Sequence, residues 1–123
     1  MIRAEEVIKI HKLLIDQFGG SHGLRDEPLL VSAISRPFAT FGQEDLYPES
    51  IDKAAAILES IVTNHPFIDG NKRTGYVLAR LMILEAGQEI YASQEEKYEM
   101  VMLVSQGKWK YDHIRAWLAA RCK

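Results

Sequence analysis

The chain has little of several things, and each shortage removes a class of protein. It holds one cysteine, Cys122. No internal disulfide can form, as a reducing cytoplasm permits, and a cytoplasmic location is expected. No stretch approaches the roughly 18 apolar residues of a membrane span, and the opening Met1-Ile2-Arg3-Ala4-Glu5-Glu6 has no apolar core of an export signal. Neither export nor membrane attachment is expected. An excess of charge is also missing: 15 Lys and Arg face 17 Asp and Glu, a formal net charge of −2. A broad electrostatic footprint for direct nucleic-acid binding is therefore absent. Repeats, low-complexity tracts and an internal linker are absent too, so residues 1–123 read as a single domain. Such a chain can bury about two thirds of its unfolded surface in one core.

The histidines His11, His22 and His113 share no metal-ligand spacing with one another or with Cys122, which points to surface or capping roles. Trp109, Tyr111 and Trp117 come without a basic stripe and fit a core or an interface better than a base-stacking platform. The stretch Gly70 to Gly75 contains glycine, lysine and threonine but lacks the order and spacing of a Walker loop.

What is present is a string of helices. Val7, Ile10, Leu14 and Phe18 form the apolar stripe of a first helix that stops at Gly19-Gly20. Asp26-Glu27-Pro28 opens a second, closed by Arg36-Pro37. Phe38 to Glu49 reads as a loop of about a dozen residues, long enough to be mobile or functional. Ile51, Ala54, Ala55, Leu58, Ile61 and Val62 predict a third helix from about Ser50, its N-cap candidate, to Asn64. From Gly70 to near Gly87 the chain is apolar almost all round, which predicts a central buried helix. Ser93 and Glu96 make a capping box for a fifth helix, and Trp109 to Leu118 a sixth. The expected fold is all-α: a compact bundle of about six helices around a central buried one.

The chemistry concentrates in His65-Pro66-Phe67-Ile68-Asp69-Gly70-Asn71-Lys72-Arg73. The residue before a proline is pushed out of the α region, so the third helix ends and leaves His65 facing outward on a turn. Phe67 and Ile68 read as core anchors for that turn. Lys72 and Arg73 fall in the first turn of the next helix, where the macrodipole disfavours cations by a few tenths to ~1 kcal/mol each. Two cations there make sense if an anion occupies the helix end, and Gly70 lets the backbone approach it. A phosphate chain is the natural candidate. Asp69 reads as the N-cap, as a Mg²⁺ ligand, or as both. Beside such a site His65 is the candidate general base.

These residues resemble the signature of the Fic/Doc family, commonly His-Pro-Phe-x-Asp/Glu-Gly-Asn-Gly-Arg-x-x-Arg. The chain matches at His65, Pro66, Phe67, Asp69, Gly70, Asn71 and Arg73, with Lys72 in place of the second glycine and Tyr76 in place of the last arginine. Gly23-Leu24-Arg25-Asp26-Glu27, Arg36-Pro37 and Tyr47-Pro48 extend the likeness over roughly residues 1 to 90. The Asn-Lys-Arg form resembles the Doc branch of toxin–antitoxin pairs.

The resemblance implies a kinase that binds ATP and Mg²⁺, with the terminal phosphate at the histidine, and that modifies a threonine of elongation factor Tu. It also implies a flap at Phe38 to Glu49 that holds the target peptide. The expected roles are His65 as base, Asp69 for the metal, and Gly70, Asn71, Lys72 and Arg73 for the phosphates. Part of the family carries an inhibitory Ser/Thr-x-x-x-Glu-Gly/Asn helix. Thr40 to Asp45 comes nearest but ends in Asp45, so restraint by a separate antitoxin is expected. Arg80 lies on the helical face of Arg73 and could reach a phosphate, whereas Arg25 and Glu27 suggest only a local ion pair. Adenylylation by the same fold, and a non-enzymatic helical binding module, are the alternatives.

Overall fold

The computed structural model describes residues 1–123 and bears out the all-α expectation. Six α-helices follow one another: α1 Ala4–Phe18, α2 Glu27–Ser35, α3 Ser50–Asn64, α4 Asn71–Glu85, α5 Gln94–Ser105 and α6 Tyr111–Arg121. None is long and apolar enough to cross a membrane. Local signals act as their chemistry dictates. Asp26 caps α2 by accepting from the Leu29 N–H at 3.0 Å, and Ser93 and Glu96 close a reciprocal capping box on α5, both bonds at 3.0 Å. The N-cap of α3 is Glu49 rather than Ser50, because the Asp52 carboxylate accepts the Glu49 N–H at 3.1 Å. Helix α6 begins after Trp109 and ends beyond Leu118, at Arg121.

The buried central helix is α3, not α4. It packs against α2, α4, α5 and α6, and Ala54, Ala55, Ala56, Ile57, Leu58, Ile61 and Val62 are fully buried. Small alanines let neighbouring backbones come close on several sides, which a reading of apolar density undervalues. Helix α4 is one-faced. Leu78, Ala79, Met82 and Ile83 are buried, while Leu81 and Leu84 reach solvent. Its contact with α3 is set at Gly75, where an added Cβ would lie 3.0 Å from Val62 Cγ2 and 3.4 Å from the Leu58 carbonyl oxygen. Gly75→Val therefore overpacks the α3–α4 crossing, and we expect a loss of about 1–3 kcal/mol, read from the urea midpoint. An unchanged midpoint would show that the helices can spread.

Two segments depart from the expected pattern. The buried stripe of α1 is Val7, His11 and Ile15, and Phe18 is exposed. The Phe38–Glu49 segment is not an open loop. A 3-10 turn at Arg36–Phe38 leads into a hairpin of β1 Thr40–Phe41 and β2 Glu44–Asp45, antiparallel with Thr40 opposite Asp45. Gly42 and Gln43, both at positive φ, form its two-residue turn. Arg36 ties the base of the hairpin to the core, donating to Tyr47 Oη at 3.0 Å and to Glu59 Oε1 at 2.7 Å.

Candidate active site

The motif turn joins the C-terminus of α3 to the N-terminus of α4. His65 ends α3 with φ 50° and ψ 55°, a left-handed conformation on a residue that is not glycine. Such a conformer costs on the order of 1–3 kcal/mol and persists only where its surroundings hold it. The following proline excludes the right-handed helix but does not choose the left-handed one. The neighbours do.

Those neighbours come from residues 11 to 26. The Pro66 carbonyl accepts the backbone N–H groups of Arg25 at 2.7 Å and Asp26 at 3.0 Å, and the Ile68 N–H donates to the Gly23 carbonyl at 3.0 Å. The Arg25 guanidinium, expected to form no more than a local pair, donates instead to the His65 carbonyl at 2.7 Å and the Asn64 carbonyl at 2.8 Å. His11 is no surface residue. It is buried, stacks on Phe67 with ring centroids 3.8 Å apart, and its Nε2 donates to the Asp69 carbonyl at 2.7 Å. His22, by contrast, is exposed against Asp16, and His113 accepts the Lys110 N–H at the start of α6. Phe67 is the anchor expected of it, but Ile68 is exposed.

Asn71 closes the turn from within. Its Oδ1 accepts the Phe67 N–H at 3.0 Å and its Nδ2 donates to the Phe67 carbonyl at 2.9 Å, which fixes the orientation of the amide. The same Nδ2 lies 3.5 Å from His65 Nδ1, too long to hold one tautomer but close enough to limit the swing of the ring. Gly70 takes the N-cap position at φ 78°, where a side chain would be strained, and a Cβ there would meet Ile15 Cδ1 at 2.9 Å and force it to shift. Asp69 is accordingly not the N-cap. Its Oδ1 accepts the adjacent Gly70 N–H at 2.8 Å and its Oδ2 the Ser21 N–H at 3.0 Å. The Ser21 N–H gets this near because Gly20 has no Cβ, which would lie 2.8 Å from Asp69 Oδ2.

The two N–H bonds, from Ser21 first and then Gly70, hold the Asp69 carboxyl below its ordinary value. Its ionised form is favoured over that of an ordinary aspartate. No cluster of three or more His, Cys, Asp or Glu side chains forms anywhere in the fold. A single ionised carboxylate suits Mg²⁺, which keeps several waters and is commonly held by one or two carboxylates plus substrate phosphates. Asp69→Asn should weaken ATP binding measured with Mg²⁺ while sparing binding measured in EDTA. Equal losses in the two calorimetric titrations would exclude a metal role.

At the start of α4 the first intrahelical bond is Thr74 N–H to the Gly70 carbonyl, so the amides of Asn71, Lys72 and Arg73 have no acceptor. All three, with Gly70, Asp69 and His65, line one cleft of about 470 Å³. The six residues singled out in the sequence thus share one wall. The Arg73 guanidinium lies over the ring of exposed Phe18, 4.4 Å from its centroid, in a cation–π contact. Tyr76 also lines the cleft, but its hydroxyl is buried without a partner, and burial pushes its pKa up to about 12. It offers no charge where the family's last arginine would stand. Nor does Arg80 replace that arginine: both of its bonds go to Glu89, at 3.0 and 2.7 Å, and it does not line the cleft.

Helix α5 lines the other wall of the cleft, with Gln94, Lys97, Tyr98, Val101 and Met102. The capping box marks where α5 starts, but nothing in the sequence says that it faces the motif. No residue of the Phe38–Glu49 hairpin lines the cleft.

A histidine on a braced turn, a helix start with three free amides and two cations, and one carboxylate thus line a single cleft. The chain belongs to the Fic/DOC family, whose model matches residues 1–83. Among individual proteins it is similar to Toxin Doc of Mycolicibacterium smegmatis, 50% identical over 62 residues, which are 50% of this chain and 48% of that protein. The match thus spans about half the length of that relative. The chain is also similar to Protein kinase doc of Escherichia phage P1, 30% identical over 94 residues, which are 76% of this chain and 74% of that protein.

Proposed function

We propose that this chain is a Doc-type toxin that transfers the terminal phosphate of ATP to a serine or threonine hydroxyl of a protein needed for translation, elongation factor Tu by resemblance. The observation that carries the reading is the side chain at the second position of α4. Lys72 lines the same cleft as His65, at the position where the commoner family pattern has glycine. A lysine adds a compact point charge suited to a terminal phosphate and fills space that a diphosphate would otherwise cross. The name of the phage relative, a protein kinase, agrees with this.

In the mechanism that follows, the amides of Asn71, Lys72 and Arg73 and the two cationic side chains bind the transferring phosphoryl group and balance the charge that spreads over its oxygens. His65 accepts the proton of the attacking hydroxyl as its oxygen bonds to the γ phosphorus, the bond from that phosphorus to the β,γ-bridging oxygen breaks, and ADP leaves. The α5 wall, with the Tyr98 ring and the Met102 thioether, receives the apolar part of the nucleotide. Mg²⁺ bound at Asp69 would supply further neutralisation of the phosphate oxygens. The hairpin, which stands outside the cleft lining and exposes Phe41 beside its turn, holds the target segment. Restraint comes from a separate antitoxin protein, in keeping with the toxin name of the mycobacterial relative; Thr40 to Asp45, the nearest match to an inhibitory helix, is hairpin rather than helix.

Mass spectrometry of proteins from a translation extract incubated with the chain and Mg·ATP tests the proposal. A target gaining one phosphoryl group supports it. A target gaining an adenylyl group assigns the other transfer reaction, and no modified protein favours a binding module.

A further inference from the structure

We propose that Arg25 is a positioning residue for transfer: its guanidinium holds His65 in the left-handed conformation that aims the imidazole at the cleft. The inference rests on the reading of His65 as the proton acceptor. Three observations carry it. His65 adopts φ 50° although it has a side chain and precedes a proline, so its geometry must be imposed from outside. The only side chain bonded to the carbonyls of the α3 terminus at Asn64 and His65 is Arg25, through Nε at 2.7 Å and Nη2 at 2.8 Å. The fork shape of the guanidinium matches two successive carbonyls, which an ammonium cannot do in the same geometry. These carbonyls are the negative end of the helix, where a cation is favoured.

Arg25 does not line the cleft. Its guanidinium is committed to the His65 and Asn64 carbonyls, so its influence on transfer passes through the His65 backbone. The opposite side of the turn is held independently by His11, Phe67 and Asn71, so the anion-binding amides of α4 do not depend on it. Loss of the guanidinium should therefore divide the site. Phosphate binding stays, and the base loses its aim.

The test uses the full chain with Arg25→Met, which keeps an apolar stem and removes all donors, and Arg25→Lys, which retains one. Three quantities are read: ATP affinity by calorimetry, the rate of protein modification at saturating ATP, and NMR residual dipolar couplings of the Asn64 and His65 amides. For Arg25→Met we expect ATP affinity within about twofold and a rate lower by roughly 10- to 100-fold, the scale of a misplaced reacting group. The couplings should shrink as the His65 backbone averages over conformers. Arg25→Lys should fall between native and Arg25→Met in rate and couplings.

Native couplings in Arg25→Met would overturn the proposal. So would ATP affinity falling in step with rate, which would mark a general structural role. The couplings decide the clamp even if the native chain modifies no protein; that outcome, or full activity in His65→Ala, would count against the functional reading instead.

Discussion

Replacing His65 by alanine should remove protein modification while ATP affinity stays within a few-fold of native. General-base catalysis typically supplies ~10²–10⁴ in rate, and His65 is the only imidazole on the cleft wall. The second histidine near the turn, His11, is buried with its Nε2 committed to the Asp69 carbonyl, so it cannot take over. Phosphate binding should survive because the amides of Asn71, Lys72 and Arg73 are set by the helix and by the Asn71–Phe67 bonds, not by the imidazole. Single-turnover transfer and calorimetric titration of ATP separate the two effects. A variant that transfers at the native rate would remove His65 from the mechanism. One that no longer binds ATP would instead make His65 part of the nucleotide site.

The second large effect is expected at Lys72. Lys72→Gly should weaken phosphoryl transfer by around 2–4 kcal/mol, the scale of other groups that stabilise charge only as it develops. The helix itself gains little or loses up to about 1 kcal/mol, since glycine is a poor helix former and a cation in the first turn is unfavourable to begin with. A thermal melt near the native value together with a large loss of rate would locate the effect in the chemistry. The substitution should not produce an adenylylating enzyme. Tyr76 with its buried hydroxyl remains where that reaction uses an arginine, and Arg80 remains tied to Glu89. A variant retaining full transfer activity would show that the amides and Arg73 suffice.

What could be read in the sequence was what lies close together in it. His65 to Arg73 is nine consecutive positions, and their grouping on one wall follows from a helix end, a turn and a helix start, each with its own local signal. The helices were legible for the same reason: apolar spacing, Asp26-Glu27-Pro28, and the Ser93–Glu96 box. The features missed depend on distance along the chain. Arg25 bonds to backbone carbonyls some 40 residues away, which carry no residue-specific mark. His11 reads as a surface histidine on α1 until Phe67, 56 positions later, supplies a ring to stack on. The α5 wall meets the motif only through tertiary packing. The strands of the hairpin are two residues each, below the length at which alternation can show. Hydropathy points to α4 as the central helix because bulky residues dominate any such sum, whereas α3 holds the central place through a row of alanines.

The most direct measurement is transfer of label to protein from ATP carrying radioactive phosphorus at either the α or the γ position, with a translation extract as the source of target. The account predicts label in protein from the γ position and none from the α position, lost in His65→Ala and strongly reduced in Lys72→Gly. Label from the α position, with none from the γ position, would contradict it and make the chain an adenylylating enzyme.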